Sequence, residues 1–232
     1  MYNASPAQRP AVDIHDKSIL MVEGYYVDDI ITIGDQMATH DWSGAVPVFG
    51  NWTKTFVFDD GGKEPYVAGG DLENAFWRCI VGNVCWNGKP LADAANIRDT
   101  YRQAVPEDYE MFKLWKDEIQ IAKEGQWMLS NNTLPLQYTI PLTARHRRMF
   151  LTRKGYLGMG TNATRIGDKV HILLGSRVPF VLRPVLSSHA SLEYLDPVPK
   201  AYELVGECYL HGIMDGEWFS GGEQIKQTIA LC

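Results

Sequence analysis

Apolar and polar residues alternate along residues 19–34 on both sides of Gly24, and this period of two predicts a pair of strands. The alternation is lost over residues 40–70, which are rich in Trp, Gly and Asp. A segment without a sustained hydrophobic period predicts a long irregular loop. Such a loop either carries a function or is a poorly ordered loop on the surface.

Two segments in the middle of the chain predict helices. Asp71 can cap a helix over residues 71–82, because apolar residues follow it at helical spacing. Pro106 begins a stronger helix that runs to Glu124, with two acidic residues in its first turn and four apolar residues on one face.

The pattern after Pro141 changes to short apolar runs separated by glycine turns. These runs predict five strands, at residues 149–152, 156–160, 169–174, 178–183 and 202–210. Short strands at close spacing predict a small barrel or a strongly bent sheet. The fold class that follows is α+β, with a helical middle layer packed on a β-rich C-terminal half.

The length of 232 residues suits one domain covering residues 1–232. In this division, residues 1–18 are a loose lead-in, residues 19–140 hold the strand pair, the loop and the helices, and residues 141–232 form the β-rich half. No run of eighteen apolar residues predicts a membrane span, and the N-terminus lacks the apolar core of a secretory signal. We therefore expect a cytoplasmic protein.

Charge and motif content exclude several function classes. The chain carries 22 Lys and Arg against 28 Asp and Glu, a net charge of −6 that argues against nucleic-acid binding. The basic run 145–148 precedes a predicted strand, so a solvated flank or an internal anchor is favoured over a phosphate-binding role. The four cysteines have no zinc-site spacing, and Gly155–Gly160 lacks the ending of a phosphate loop. We expect no metal and no cofactor, with the glycines permitting a bulge or a close strand crossing.

The segment 209–217 is the densest in chemical groups, since His211, Asp215 and Glu217 lie within seven residues on a glycine-rich path. They can form an acid–base group that lines a pocket, or a structured turn whose side chains satisfy buried backbone. We favour the turn. Asp168 after Gly167 likewise predicts a tight turn, in which the carboxylate accepts nearby backbone N–H groups.

Several segments of the sequence resemble segments of a known protein family. Residues 148–160, 167–175, 178–183 and 202–217 are similar to the C-terminal region of fungal heterokaryon-incompatibility (HET) proteins. The segment Ala75–Ile80 resembles a Phe-Trp-Arg-Thr-Leu helix of that family, with Cys79 in place of Thr. The resemblance covers the region that follows the HET domain and none of the HET domain itself, which in the family is held to carry the cell-death activity. It implies a fungal origin.

The resemblance implies two functions. Small stand-alone HET-like proteins occur in fungal biosynthetic clusters, among them a norbornene-forming Diels–Alderase of sordaricin biosynthesis. One expectation is therefore a cofactor-independent pericyclase or cyclase of fungal secondary metabolism, of the intramolecular Diels–Alder type, acting on an apolar terpenoid or polyketide. The alternative is a non-catalytic regulatory or interaction module derived from an incompatibility protein.

For the cyclase hypothesis, the substrate would be held folded between aromatic walls while a hydrogen-bond donor polarises a carbonyl of the dienophile. The seven Trp, eleven Tyr and eight Phe are ample for such walls as well as for a core. The candidate donors are Arg148, Tyr156, Arg183, Tyr209 and His211, and the candidate walls are Trp77 and Trp115. The expected partner is an apolar small molecule.

Overall fold

The computed structural model of the chain describes residues 2–5, 12–15, 19–38, 42–57, 62–89, 99–121, 130–185 and 200–232. Two compact units contain them. Residues Gly34–Met149 form the helical unit, and Tyr2–Ile33 together with Phe150–Cys232 form the barrel unit. The α+β class with a β-rich C-terminal half is confirmed.

The helical unit contains four α-helices and a two-stranded sheet among its described residues. The helices are α1 (Trp42–Phe56), α2 (Leu72–Ile80), α3 (Asp108–Ile121) and α4 (Leu134–Ala144), the last preceded by a 3-10 turn at Asn131–Thr133. Strands β3 (Val84–Trp86) and β4 (Tyr101–Gln103) pair antiparallel. None of the described helices is both long and apolar enough to cross a membrane.

Helix α1 corrects the prediction of an irregular segment over residues 40–70. Its buried residues recur at helical spacing, with Val46, Phe49, Trp52 and Phe56 on one side. Pro47 inside the helix and two glycines hide that period in the sequence, because neither residue type favours a helix interior. Residues 58–61 of the same segment lie outside the described part of the chain.

The two predicted helices are confirmed as α2 and α3. Asp71 caps α2, since its carboxylate accepts the Asn74 backbone N–H at 2.7 Å. Helix α3 begins at Asp108, whose carboxylate accepts the Val105 N–H at 2.9 Å, and not at Pro106. The predicted residues 122–124 lie outside the described residues.

An aromatic ladder forms the core of the helical unit and joins three helices. Trp77 of α2 packs on Phe112 of α3, with ring centroids 6.1 Å apart, and Phe112 packs on Trp115 at 5.6 Å. Trp115 then meets Phe49 of α1 edge-on at 4.9 Å, and Phe49 meets Trp52 at 5.5 Å. These five aromatic rings pack α1, α2 and α3 against one another through edge-on and tilted contacts.

The barrel unit contains the remaining strands. They are β1 (Val12–His15), β2 (Ile19–Gln36), β5 (Arg147–Thr152), β6 (Leu157–Thr161), β7 (Lys169–Leu173), β8 (Phe180–Pro184), β9 (Lys200–Glu207), β10 (Tyr209–Leu210) and β11 (Lys226–Leu231). Strands β2 and β5 each continue across the division into the helical unit. A 3-10 turn at Glu217–Gly221 precedes β11.

Five of these strands close into a barrel. The neighbours run β2–β11–β9–β8–β7, and β7 pairs again with β2. The β11–β9 pair is parallel and the other four are antiparallel, so the barrel is mixed. Closure leaves no free edge on these five strands, and the predicted small barrel is confirmed.

Strand β2 is one continuous strand of 18 residues and not the predicted pair. At Gly24 it is bonded on both sides, to Gln227 of β11 and to Leu173 of β7. A side chain on Gly24 would meet the backbone carbonyl of Ile172 at 2.8 Å, so the glycine marks a close backbone approach and not a strand end.

The barrel strands bury apolar side chains on both faces. One cluster takes residues from all five strands and is the barrel core: Val22, Leu173, Leu182, Tyr202, Ile229 and Leu231. A second cluster joins the opposite face of β7 and β8 to β5 and β10, and it includes Val170, Ile172, Val181, Phe150 and Leu210. Gly158 of β6 allows this packing, because a side chain there would overlap the Phe150 ring. The glycine thus makes room for an aromatic side chain of the neighbouring strand, and the predicted bulge or close strand crossing stays a prediction.

Candidate functional site

Five ionisable or polar side chains of the barrel unit form a group that we call the Asp29–His171 cluster. Its members are Tyr26 and Asp29 of β2, Lys169 and His171 of β7, and Tyr202 of β9. The Asp29 carboxylate accepts hydrogen bonds from Tyr26 and Lys169, and the Lys169 ammonium also lies 5.3 Å from the centre of the Tyr26 ring. The Lys169 hydrogen bond lowers the pKa of Asp29, while burial and the Asp29 carboxylate raise that of Tyr26.

His171 is the buried member of the cluster. Its side chain has no solvent exposure, and within the described residues neither ring nitrogen has a partner with hydrogen-bond geometry, although the Lys169 backbone lies close enough to oppose part of the effect of burial on its pKa. The rings of Tyr26 and Tyr202 meet it edge-on at 5.6 and 5.0 Å. Burial lowers the pKa of His171 to about 4, so the imidazole is neutral at pH 7 and presents one N–H donor and one acceptor nitrogen.

A buried polar side chain without a partner is uncommon and calls for an explanation. His171 lies two residues from Leu173, a member of the barrel core, and therefore on the same face of β7. A neutral N–H group in such apolar surroundings interacts more strongly with an electronegative atom than it would in water. At pH 7 the His171 ring thus keeps a donor and an acceptor nitrogen with no hydrogen bond to the described residues.

The sequence interpretation did not single out this cluster. Tyr26, Asp29, Lys169 and His171 come from two strands about 140 positions apart, and only the β2–β7 register brings them together, with Tyr26 opposite His171 and Asp29 opposite Lys169. The one available signal was His171 itself, because it interrupts an otherwise apolar run.

Arg183, a candidate donor, is engaged in an ion pair. Its guanidinium contacts both carboxylate oxygens of Asp168 at 2.8 and 3.0 Å, and it also donates to the Ala163 carbonyl. Asp168 is 2% exposed and accepts the Arg165 N–H as the predicted turn requires. The Asp168 hydrogen bonds raise the pKa of Arg183. The pair fixes the turn into β7.

Tyr209 and His211, two further candidate donors, are brought together. The Tyr209 hydroxyl lies 2.8 Å from Nδ1 of His211. Glu217 accepts the Asp215 backbone N–H at 2.7 Å, which is the contact of a structured turn. Tyr156 lies elsewhere in the barrel unit, with its ring 6.5 Å from that of Trp218, and burial raises its pKa.

The other three candidates belong to the helical unit. Trp77 and Trp115 are fully buried rungs of the aromatic ladder, and the Trp77 indole N–H donates to Asn74 at 2.9 Å. Arg148 is half-buried, and its Nε has no hydrogen-bond partner in the described part of the chain. Both tryptophans contact Phe112, so the structure gives them a shared packing role.

The class of protein is defined by the fold and the cluster together. It is a domain with a closed five-stranded mixed β-barrel, a buried histidine in the barrel and an attached helical region in the same chain. A family model described as the Het-6 beta-barrel domain matches residues 17–226. The chain belongs to the Het-6 β-barrel domain family.

A curated relative supports the same family. Heterokaryon incompatibility protein 6, OR allele, of Neurospora crassa is 27% identical over an alignment of 232 residues, which covers 86% of this chain and 32% of that protein. The chain thus spans about a third of the length of that relative. No solved structure matches the chain. The predicted resemblance to fungal HET proteins is confirmed.

Proposed function

We propose that this chain acts as a regulatory or interaction module of the heterokaryon-incompatibility type. The observation that carries the proposal is the engagement of three of the five expected donors: Arg183 is bonded to Asp168, and Tyr209 is bonded to His211. These contacts give the three side chains a role in the barrel fold. The similarity to one part of an incompatibility protein supports the same role.

Competition in the fungus tests this proposal. The chain is expressed in Neurospora crassa carrying the OR allele, and the growth of a forced, incompatible heterokaryon is measured. If the chain occupies the partner of the corresponding part of the relative, growth is expected to improve in proportion to its level. Gly158→Leu, which overlaps Phe150, is the control for a requirement of the folded barrel. Unchanged growth at matched levels of folded chain would argue against the module.

A second candidate function is a cofactor-independent cyclase of the Diels–Alder type acting on an apolar terpenoid or polyketide. The observation that favours it is His171, a neutral imidazole in the barrel core whose ring nitrogens have no partner among the described residues. Such a donor would stabilise the charge that develops on a dienophile carbonyl in the transition state.

The cyclase is tested by incubating the purified chain with a diene-bearing diterpenoid, without cofactor, and separating the products by chromatography. Accelerated formation of one cycloadduct is expected, together with its loss in His171→Phe at a melting temperature no lower than that of the wild type. A rate equal to that of the protein-free reaction would remove this candidate for that substrate class.

A further inference from the structure

A groove in the helical unit lies between α1 and α3 and encloses about 220 Å³. Its floor is apolar and consists of Val46 and Phe49 of α1 and Ile119 of α3, all of them buried. Its rim is polar and carries Thr53, Lys54, Lys116 and Gln120. An apolar floor with a few converging polar groups is the usual composition of a small-ligand site.

The floor of the groove is rigid. The Phe49 ring is held edge-on by Trp52 at 5.5 Å and by Trp115 at 4.9 Å, with interplanar angles of 88° in both contacts. Because two rings fix Phe49 from different helices, it is not free to rotate and fill the space. The groove is therefore preformed, which reduces the ordering cost of binding.

Gly50 keeps the groove open. It lies inside α1, where glycine costs about 0.5–1 kcal/mol relative to alanine. No packing contact requires it, since a side chain added at Gly50 would meet nothing within 4 Å. The glycine lines the groove and leaves room that a side chain as large as leucine would occupy.

The rim is positively charged in a chain whose net charge is −6. Lys54 is exposed, and no ion pair joins it to the described residues. Lys116 is 42% exposed and lies 3.7 Å from Glu73, a long ion pair that leaves the ammonium accessible. Gln120 is exposed beside it. A carboxylate placed here would meet two ammonium groups and an amide donor.

We propose that this groove binds a small apolar carboxylate, with its hydrocarbon body on Phe49 and its charge between Lys54 and Lys116. The volume sets the size of the ligand. The groove volume exceeds that of a cavity that holds benzene, roughly 150 Å³. It is smaller than the pockets that bind drug-sized ligands, which start at roughly 300 Å³. A body as large as a phenyl ring fits, whereas a diterpenoid does not. This site is independent of the proposed function.

The test uses the full chain and 4-phenylbutyrate, with 4-phenylbutanamide and butyrate as controls that lack the charge or the ring. Saturable shifts of the backbone amide resonances of Gly50, Thr53 and Gln120 are expected with the acid. Binding of either control is expected to be about tenfold weaker. Added salt is expected to weaken binding of the acid and not of the amide.

Three variants locate the site. Gly50→Leu fills the groove and is expected to abolish binding, whereas Gly50→Ala, which meets no neighbour, is the matched control for the fold. Lys54→Gln is expected to weaken the acid several-fold and leave the amide unchanged. No saturable binding, shifts that map outside the groove, equal affinity for acid and amide, or undiminished binding to Gly50→Leu would each overturn the proposal.

Discussion

Helix α2 and the Asp29–His171 cluster differ in how far apart in sequence their bonded side chains lie. In α2, Trp77 and Arg78 both donate to Asn74, so the partners are three and four residues apart. In the cluster, Lys169 bonds Asp29 across 140 positions. A local network forms as the helix forms, whereas the cluster exists only after the barrel has closed.

The two regions also differ in how completely their polar groups are satisfied. The Trp77 indole N–H of α2 is buried and has a partner. His171 is equally buried, and its ring nitrogens have none in the described residues. Unsatisfied buried groups cost stability and tend to persist where they serve a function. The comparison therefore identifies His171 as the place where the barrel unit carries buried polar atoms without a hydrogen bond in the described residues, whereas the Trp77 indole in α2 is satisfied.

The largest effect is expected from Trp77→Ala. The substitution removes a fully buried indole ring from the aromatic ladder and should lower the free energy of unfolding by about 3–5 kcal/mol. Urea denaturation followed by tryptophan fluorescence measures it, since six of the seven tryptophans lie between positions 42 and 127. Trp77→Phe keeps the contact with Phe112 and should cost less than half as much. Equal losses for both variants would show that the indole hydrogen bond, and not ring packing, dominates.

The part of the ladder on α3 was within reach of sequence reasoning, but the part on α1 and the cluster were not. Trp115 follows from helical periodicity, since it sits on an apolar face that repeats every three or four residues. His171 and Asp29 depend on strand register, which is set by bulges such as the one between Tyr26 and Asp28. Helix α1 was missed for a local reason, because Pro47 and the glycines interrupt its pattern.

The next largest effect is expected from Arg183→Ala in the barrel unit. It leaves the Asp168 carboxylate, 2% exposed, without its charged partner and should cost about 3 kcal/mol. Thermal denaturation measures the loss. In the double variant Asp168→Asn with Arg183→Gln, no charge is left unpaired, so part of the stability should return. An unchanged melting temperature for Arg183→Ala would instead restore Arg183 as a candidate donor.

His171 gives the barrel unit a dependence on pH that the aromatic ladder lacks. Its pKa falls from the ordinary value of 6.5 to about 4 in the folded chain, so the unfolded chain binds the proton more readily. The stability is fully present above pH 6.5 and declines as the pH falls towards 4, by about 3 kcal/mol in total.

Urea titrations of the wild-type chain and His171→Phe at pH 8, 6 and 4.5 measure this dependence. The variant is expected to equal or exceed the wild type at every pH, with a gap that widens as the pH falls. The reason is that phenylalanine fills the same space without burying unpaired nitrogens. Parallel pH curves for the two chains would mean that His171 has a hydrogen-bond partner in solution. The buried polar atoms of the cluster would then be hydrogen-bonded as completely as those of α2.

The smallest effect is expected from Asp71→Ala. Comparing it with Asp168→Ala tests whether burial makes a carboxylate of the barrel unit contribute more stability than one of the helical unit. Asp71 and Asp168 each accept a backbone N–H from a residue three positions away, at 2.7 and 2.8 Å. Asp71 is exposed, so alanine should cost only about 1 kcal/mol, the usual value of an N-cap. Asp168→Ala should cost at least twice as much, because it also removes the partner of Arg183. Asp71→Ser keeps an acceptor at the cap and should restore most of the loss in thermal denaturation. Equal costs for the two alanine variants would mean that the local hydrogen bond, and not the buried ion pair, is what the turn before β7 requires.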